Sequence, residues 1–328
     1  MKTLNGLMKH LRDKGIETHG SVHKRKMKNY GYYHGYKGHR FVGNSSNCLD
    51  LTSFDEVIAL NEFDMAVKAL LYPSVMFIET ALKNYTLEAV LEDSHSFVLE
   101  DIFSRTLVAY RDYPRKSKDY SAAMKKRLGL RAEINRLIQY NYSKNPVVRH
   151  FYDSDKPLPI WALFEVMTLG NFGVFYSCLK GSVRQSISDD LKLPNNYDGP
   201  GLLERTIFVL KDLRNAVAHN SAVYDVRFKR AKVGNQLGQM LSSEVGVPSI
   251  DFSTITDYVV LIVYLLRKMM VSKTECYQLI RNYSSVLEDL HGSLSSSDFH
   301  KIVKTGARSK MDAKDGDDIL WSWARRQT

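Results

Sequence analysis

Leu213-Arg214-Asn215-Ala216-Val217-Ala218-His219-Asn220 lies late in an apolar-periodic segment running from Gly201 to Tyr224. Ile207, Leu210, Leu213 and Val217 recur at three- and four-residue spacing, which makes an amphipathic helix with one core-facing stripe. At about 100° per residue, Asn215 and His219 fall one turn apart, while Arg214 projects roughly 140° from His219. One copy spreads these polar groups; a second copy across a two-fold axis would gather two Arg and two His in one cleft. A surface helix with a paired Arg and a solvated His at its C-terminus satisfies the same residues, so the rest of the chain must decide.

The formal charge of +10 is uneven: residues 1–50 hold ten Lys/Arg against three Asp/Glu, and residues 105–149 hold twelve against three. Clustered cations gain by releasing the counterions condensed on phosphates, so the two blocks point to a polyanion partner. Three cysteines, Cys48, Cys178 and Cys276, lack metal-type spacing and fit reduced thiols. The N-terminus has no apolar signal region and the longest clean apolar run, Tyr258 to Leu266, is far short of a bilayer span. The expectation is a soluble, cytoplasmic protein that meets no membrane.

From His19 to Arg40, Lys24, Arg25, Lys26 and Lys28 alternate with Tyr30, Tyr32, Tyr33 and Tyr36 and with four histidines. Cations for phosphates and flat rings for bases are what unpaired RNA requires; tyrosines packing a subdomain onto a helical core are the equal alternative. Ser53 with Glu56 forms a capping box before a stripe of Val57, Leu60, Phe63 and Met65. Pro73 marks a new helix start, after which Glu79 and Lys83 stand one turn apart.

Ser121 to Tyr142 predicts a helix with Leu128, Ile134, Leu137 and Ile138 buried and a phosphate-tracking face of Lys125, Lys126, Arg127 and Arg131. Ile160 to Thr168 predicts another with Trp161 in the core, and Gly170 to Gly173 a break before Val174. Ser242 to Ser249 reads as a flexible loop, Asp251 to Val271 as a strongly apolar helix, Lys273 to Leu290 as a further helix, and the tail from His291 as a loosely attached element. No strand pattern, repeat, Gly-rich phosphate loop or carboxylate metal cluster stands out, so neither a cofactor nor a metal is expected.

Four blocks in order, residues 29–36 (Asn-Tyr-Gly-Tyr-Tyr-His-Gly-Tyr), 54–64, 158–170 and 213–225, resemble the Abi family of abortive-infection proteins of the AbiD and AbiF type. The Arg214 to His219 spacing is similar to that of HEPN-domain ribonucleases. Where the family often carries an Arg in the first block this chain has His34, and where many relatives carry a second motif His it has Asn220. The resemblance implies a catalytic trio of Arg214, Asn215 and His219, with Glu79 and Lys83 supporting.

The expected architecture is all-α: a basic, Tyr-rich N-terminal RNA-binding subdomain (1–50), a HEPN-like helical bundle (51–290) and a C-terminal tail (291–328). The expected activity is metal-independent endoribonuclease cleavage, by a homodimeric toxin or effector of antiphage defence. Two alternatives stay open: a non-catalytic module holding a structured or regulatory RNA, and a scaffold for a separate toxin.

Overall fold

The computed structural model describes residues 3–304, 320, 322 and 323. Several of its helices begin where the sequence supplies a side-chain cap. The Thr3 hydroxyl accepts from Gly6 N–H at 3.2 Å and starts α1 (Leu4–Arg12). The basic run forms α2 (Gly20–Tyr30), after which the chain widens into a π-helical turn, Gly31–Lys37. Gly35 is required there, because a Cβ would stand 2.5 Å from Tyr30 Cβ. Met8, Leu11, Met27, Tyr36, Phe54 and Val57 close a small core beneath these elements.

Ser53 and Glu56 make the expected reciprocal cap, with Ser53 N–H donating to Glu56 at 3.0 Å and Glu56 N–H donating to Ser53 at 3.3 Å. The helix they open, α3, runs from Phe54 to Ser94 and passes through Pro73 without stopping. The expected break is therefore corrected. Proline inside a helix costs about 3 kcal/mol, and the buried stripe of Leu60, Val67, Leu71, Val75, Ile78 and Leu82 on either side outweighs it. Met65 leaves the stripe and is half exposed. Among the described residues, α3 is the one helix long and apolar enough to cross a membrane by length and composition. Asn61, Asp64, Lys68 and Glu79 are all buried along it.

The chain divides into two compact units, Met1–Met76 with Asp212–Thr328, and Phe77–Lys211. The second unit contains α4 (Leu99–Arg105), α5 (Lys118–Tyr142), α6 (Pro146–Asp153), α7 (Ile160–Val166), α8 (Leu169–Cys178), α9 (Gly181–Asp190) and the start of α10 (Gly199–Ala218). Helix α5 is its spine, packing on α6, α7 and α8. It starts at Lys118 because the Ser117 hydroxyl caps Tyr120 N–H at 3.0 Å, and Leu128 faces solvent instead of the core. Gly170 and Gly173 do not break the chain but sit inside α8; a Cβ on Gly173 would meet the Phe208 ring at 3.0 Å, so the glycine permits a close helix approach. Trp161 is two-fifths exposed, its ring edge-on to Phe151.

In the first unit follow α11 (Asn235–Val245), α12 (Ile255–Lys268), α13 (Lys273–Ser293) and α14 (Ser296–Val303). The expected loop at 242–249 is half helix, because Leu241 and Val245 are buried. Helix α12 is buried nearly all round and packs on α11 and α13. The tail is attached: Asp50 N–H donates to both Asp298 carboxylate oxygens at 3.0 Å, and Trp323 stacks on Tyr264 with ring centroids 5.6 Å apart. Residues 305–319, 321 and 324–328, Trp321 among them, lie outside the described residues. No strand occurs among the described residues, and the fold is all-α.

Candidate functional site

Helix α10 ends at Ala218, short of the expected Tyr224. Asn220 turns left-handed (φ 54°), its N–H reaches Val217 O at 3.4 Å, and Ser221 N–H reaches Ala216 O at 2.8 Å. This pair of bonds is a Schellman cap, for which Asn is the best residue after Gly. His219 therefore stands on the last turn, exposed, with its N–H still bonded to Asn215 O at 3.0 Å. Among the described residues no hydrogen bond joins the Asn215 amide to the His219 ring. Arg214 and Asn215 are both half-buried.

The residues after the cap are held by a group the sequence reading passed over. Asp64 is buried on α3, and its Oδ1 accepts from the N–H groups of Val223 (2.7 Å) and Tyr224 (3.1 Å). Its Oδ2 faces Lys68 Nζ at 2.5 Å and His39 Nε2 at 3.7 Å. Burial works to raise the Asp64 carboxyl, but His39, Lys68 and the Val223 N–H together outweigh it and hold the group below the ordinary carboxylate value of 3.8. Lys68 also donates to Asn220 Oδ1 at 2.8 Å. One buried ion pair thus fixes both the cap residue and the segment that leaves it.

A second set of contacts ties the N-terminal segment to the same place. The His39 ring stacks on Tyr224 with centroids 5.2 Å apart and an interplanar angle of 19°. Tyr224 donates to Phe41 O at 2.6 Å, and burial keeps its phenol protonated far above the usual range. Arg227 pairs with Asp225 through Nε (2.7 and 2.8 Å) and reaches Gly38 O at 2.7 Å and Phe41 O at 2.9 Å. Asp225 in turn accepts from Gly43 N–H at 2.8 Å. Asn61 donates to Gly35 O at 3.0 Å and fastens the π-helical turn to α3. The turn brings His34 to the motif, its Nε2 3.5 Å from Asn220 Nδ2.

The other expected site residues are dispersed. Lys83 pairs with Glu79 at 3.1 Å and donates to Met167 O at 2.7 Å. On α2, Arg25 and Lys28 are exposed and Lys24 half-buried, while Lys26 is engaged by Glu62 at 2.8 Å. Tyr33 is three-quarters exposed and Tyr32 half-buried, but Tyr36 lies in the core and has no ring face to give a base. On α5, Lys125 is exposed and Lys126 stands 3.7 Å from Glu204. Arg127 is turned inward, donating to Phe103 O (2.7 Å) and Leu107 O (2.8 Å), and Arg131 is held by both oxygens of Glu100 at 2.7 Å. Asp64 and Lys68 were missed because they look like an ordinary surface pair one turn apart. Their signal is position: they occupy the apolar stripe of α3, where charge is admitted only when paired.

No group of three or more His, Cys, Asp or Glu among the described residues is arranged to hold a metal. No curated protein and no solved structure matches the chain. The model of the family described as Abi-like protein matches residues 25–225, a span from α2 to the Asp225 clamp that covers more than half of the sequence, and the chain belongs to that family.

Proposed function

We propose that the protein is a metal-independent endoribonuclease of the HEPN kind, acting as an effector in abortive infection. The observation that carries the reading is the anchored end of α10, where an exposed His219 follows the half-buried Arg214 on a turn locked from behind by Asp64 and Lys68. A reachable histidine on a rigid support is the arrangement that proton transfer requires. RNA carries its own nucleophile, the 2′-hydroxyl, so the protein needs to move protons and steady the charge on phosphorus. His219 serves as acid/base, and Arg214, which never deprotonates, as the phosphate clamp.

Substrate reaches the site over α2. Lys24, Arg25 and Lys28 gather phosphates, and the exposed Tyr33, with Lys37 Nζ 5.2 Å from its ring, offers a stacking face. The test is cleavage and binding of labelled RNA by the purified protein and by the Lys24→Glu/Arg25→Glu/Lys28→Glu variant. The parent is expected to cut, and the variant to bind at least ten-fold more weakly with a shallower salt dependence, losing about one unit of slope per phosphate contact removed. A parent that leaves RNA intact overturns the reading; a variant with unchanged affinity and slope removes α2 from it.

A further inference from the structure

Cleavage by 2′-hydroxyl attack needs a base to take the hydroxyl proton and an acid to protonate the departing 5′-oxygen. The motif gives one histidine per chain. Resting on the ribonuclease reading above, we propose that His34 is the second proton carrier: it acts as general base toward the 2′-hydroxyl, opposite His219 of the same chain as general acid.

The geometry that carries this is a relay from a buried charge to an exposed ring. Asp64 holds Lys68, and Lys68 donates to Asn220 Oδ1. Because an ammonium has only donors, the Asn220 carbonyl must face Lys68, so its NH2 faces His34 Nε2. An NH2 group pointed at Nε2 selects the neutral tautomer with the proton on Nδ1 and a lone pair on Nε2. That is the form a base must have. At 3.5 Å the Asn220 contact is long, and a hydroxyl approaching to about 2.8 Å displaces it readily.

The electrostatics agree with the direction. His34 is held below the ordinary imidazole value of 6.5 first by partial burial and then by His39 and Lys68, which together outweigh the opposing pull of Asp64. A base with a lowered value is neutral and ready at pH 7. His219 stands one residue from Asn220, exposed at the carboxyl end of α10. In the step itself, His34 Nε2 takes the 2′-hydroxyl proton, the 2′-oxygen bonds to phosphorus, the bond from phosphorus to the 5′-oxygen breaks, and His219 gives that oxygen its proton. His34 ends protonated and His219 neutral, and exchange with water restores both.

The test compares parent, His34→Ala, His34→Gln and His219→Ala on two RNAs: an ordinary one, and one whose 5′-oxygen at the mapped cut site is replaced by sulfur, a leaving group that departs without a proton. Both His34 variants are expected to lose about 100-fold or more on both RNAs, with imidazole restoring part of the His34→Ala rate. His219→Ala is expected to lose a similar factor on ordinary RNA and recover on the sulfur substrate. In the parent, the acid limb of the rate profile lies below pH 6.5, set by a ring that faces Lys68, His39, Asp64 and Asn220. Unfolding curves confirm that the variants are folded; His34→Gln keeps an acceptor for Asn220 and serves if His34→Ala does not fold. Folded His34 variants as fast as the parent overturn the proposal and leave the second carrier to a partner copy across a dimer. Loss that the sulfur substrate repairs overturns the base assignment. A parent inactive on ordinary RNA overturns the ribonuclease reading itself and takes this proposal with it.

Discussion

Replacing Asp64 by alanine is expected to destabilise the protein by about 3–5 kcal/mol, because it strands a buried ammonium. Lys68 is 5% exposed and has Asp64 as its carboxylate partner, and among the described residues no other carboxylate pairs with it once the side chain is cut back. The N–H groups of Val223 and Tyr224 lose their shared acceptor at the same stroke. Asp64→Asn keeps an oxygen for those two donors and is expected to cost less. Asp64→Asn/Lys68→Met is milder than Asp64→Ala, since no charge remains to be stranded. Urea unfolding measures the series, and a loss below about 1 kcal/mol for Asp64→Ala would contradict the anchor. The pH dependence has a fixed sign. A carboxyl held below its ordinary value of 3.8 contributes its stability in full above that value, and loses it as pH falls through the lower folded one. Asp64→Asn should therefore flatten the acid side of the stability profile.

His219→Ala is expected to reduce RNA cleavage by about 100- to 10,000-fold while leaving RNA affinity within a few-fold of the parent. The side chain is exposed at the end of α10, so stability should change by no more than about 0.5 kcal/mol. Loss of rate without loss of fold or binding separates a chemical role from a supporting one. Rate and affinity falling together, or neither falling, would contradict the assignment. If His219 acts on the proposed reaction and Asp64 on the scaffold, their variants should fail in different assays.

The period of apolar residues made the helices legible, α13 from its first residue and α12 with a few residues too many at each end, and it exposed the motif helix. It overran that helix by six residues because Val223 and Tyr224 keep a buried pattern in a segment that is no longer helical. The turn at Asn220 was hidden for a physical reason: its left-handed backbone is supported by a lysine from a helix 152 positions away in the chain. Pro73, Gly170 and Gly173 misled because their local preferences are overridden by burial on both sides or serve a close helix approach. Counting charge found the basic blocks but not their partners, so Arg127 and Arg131, which bond the body of the second unit, counted with Lys125 as if all faced solvent. Of the candidate site, Arg214 and His219 were visible as a motif. His34 drew notice as a departure from a pattern, and its place beside Asn220 depends on the π-helical turn that Asn61 and Gly35 fasten to α3.

The most direct measurement is the chemistry of the ends. Purified protein incubated with end-labelled RNA in excess EDTA should cut it and leave 2′,3′-cyclic phosphate and 5′-hydroxyl termini, as the proposed attack by the neighbouring 2′-oxygen with histidine proton carriers requires. Fragments with 5′-phosphate ends, or cutting that stops when divalent cations are chelated, would contradict the account.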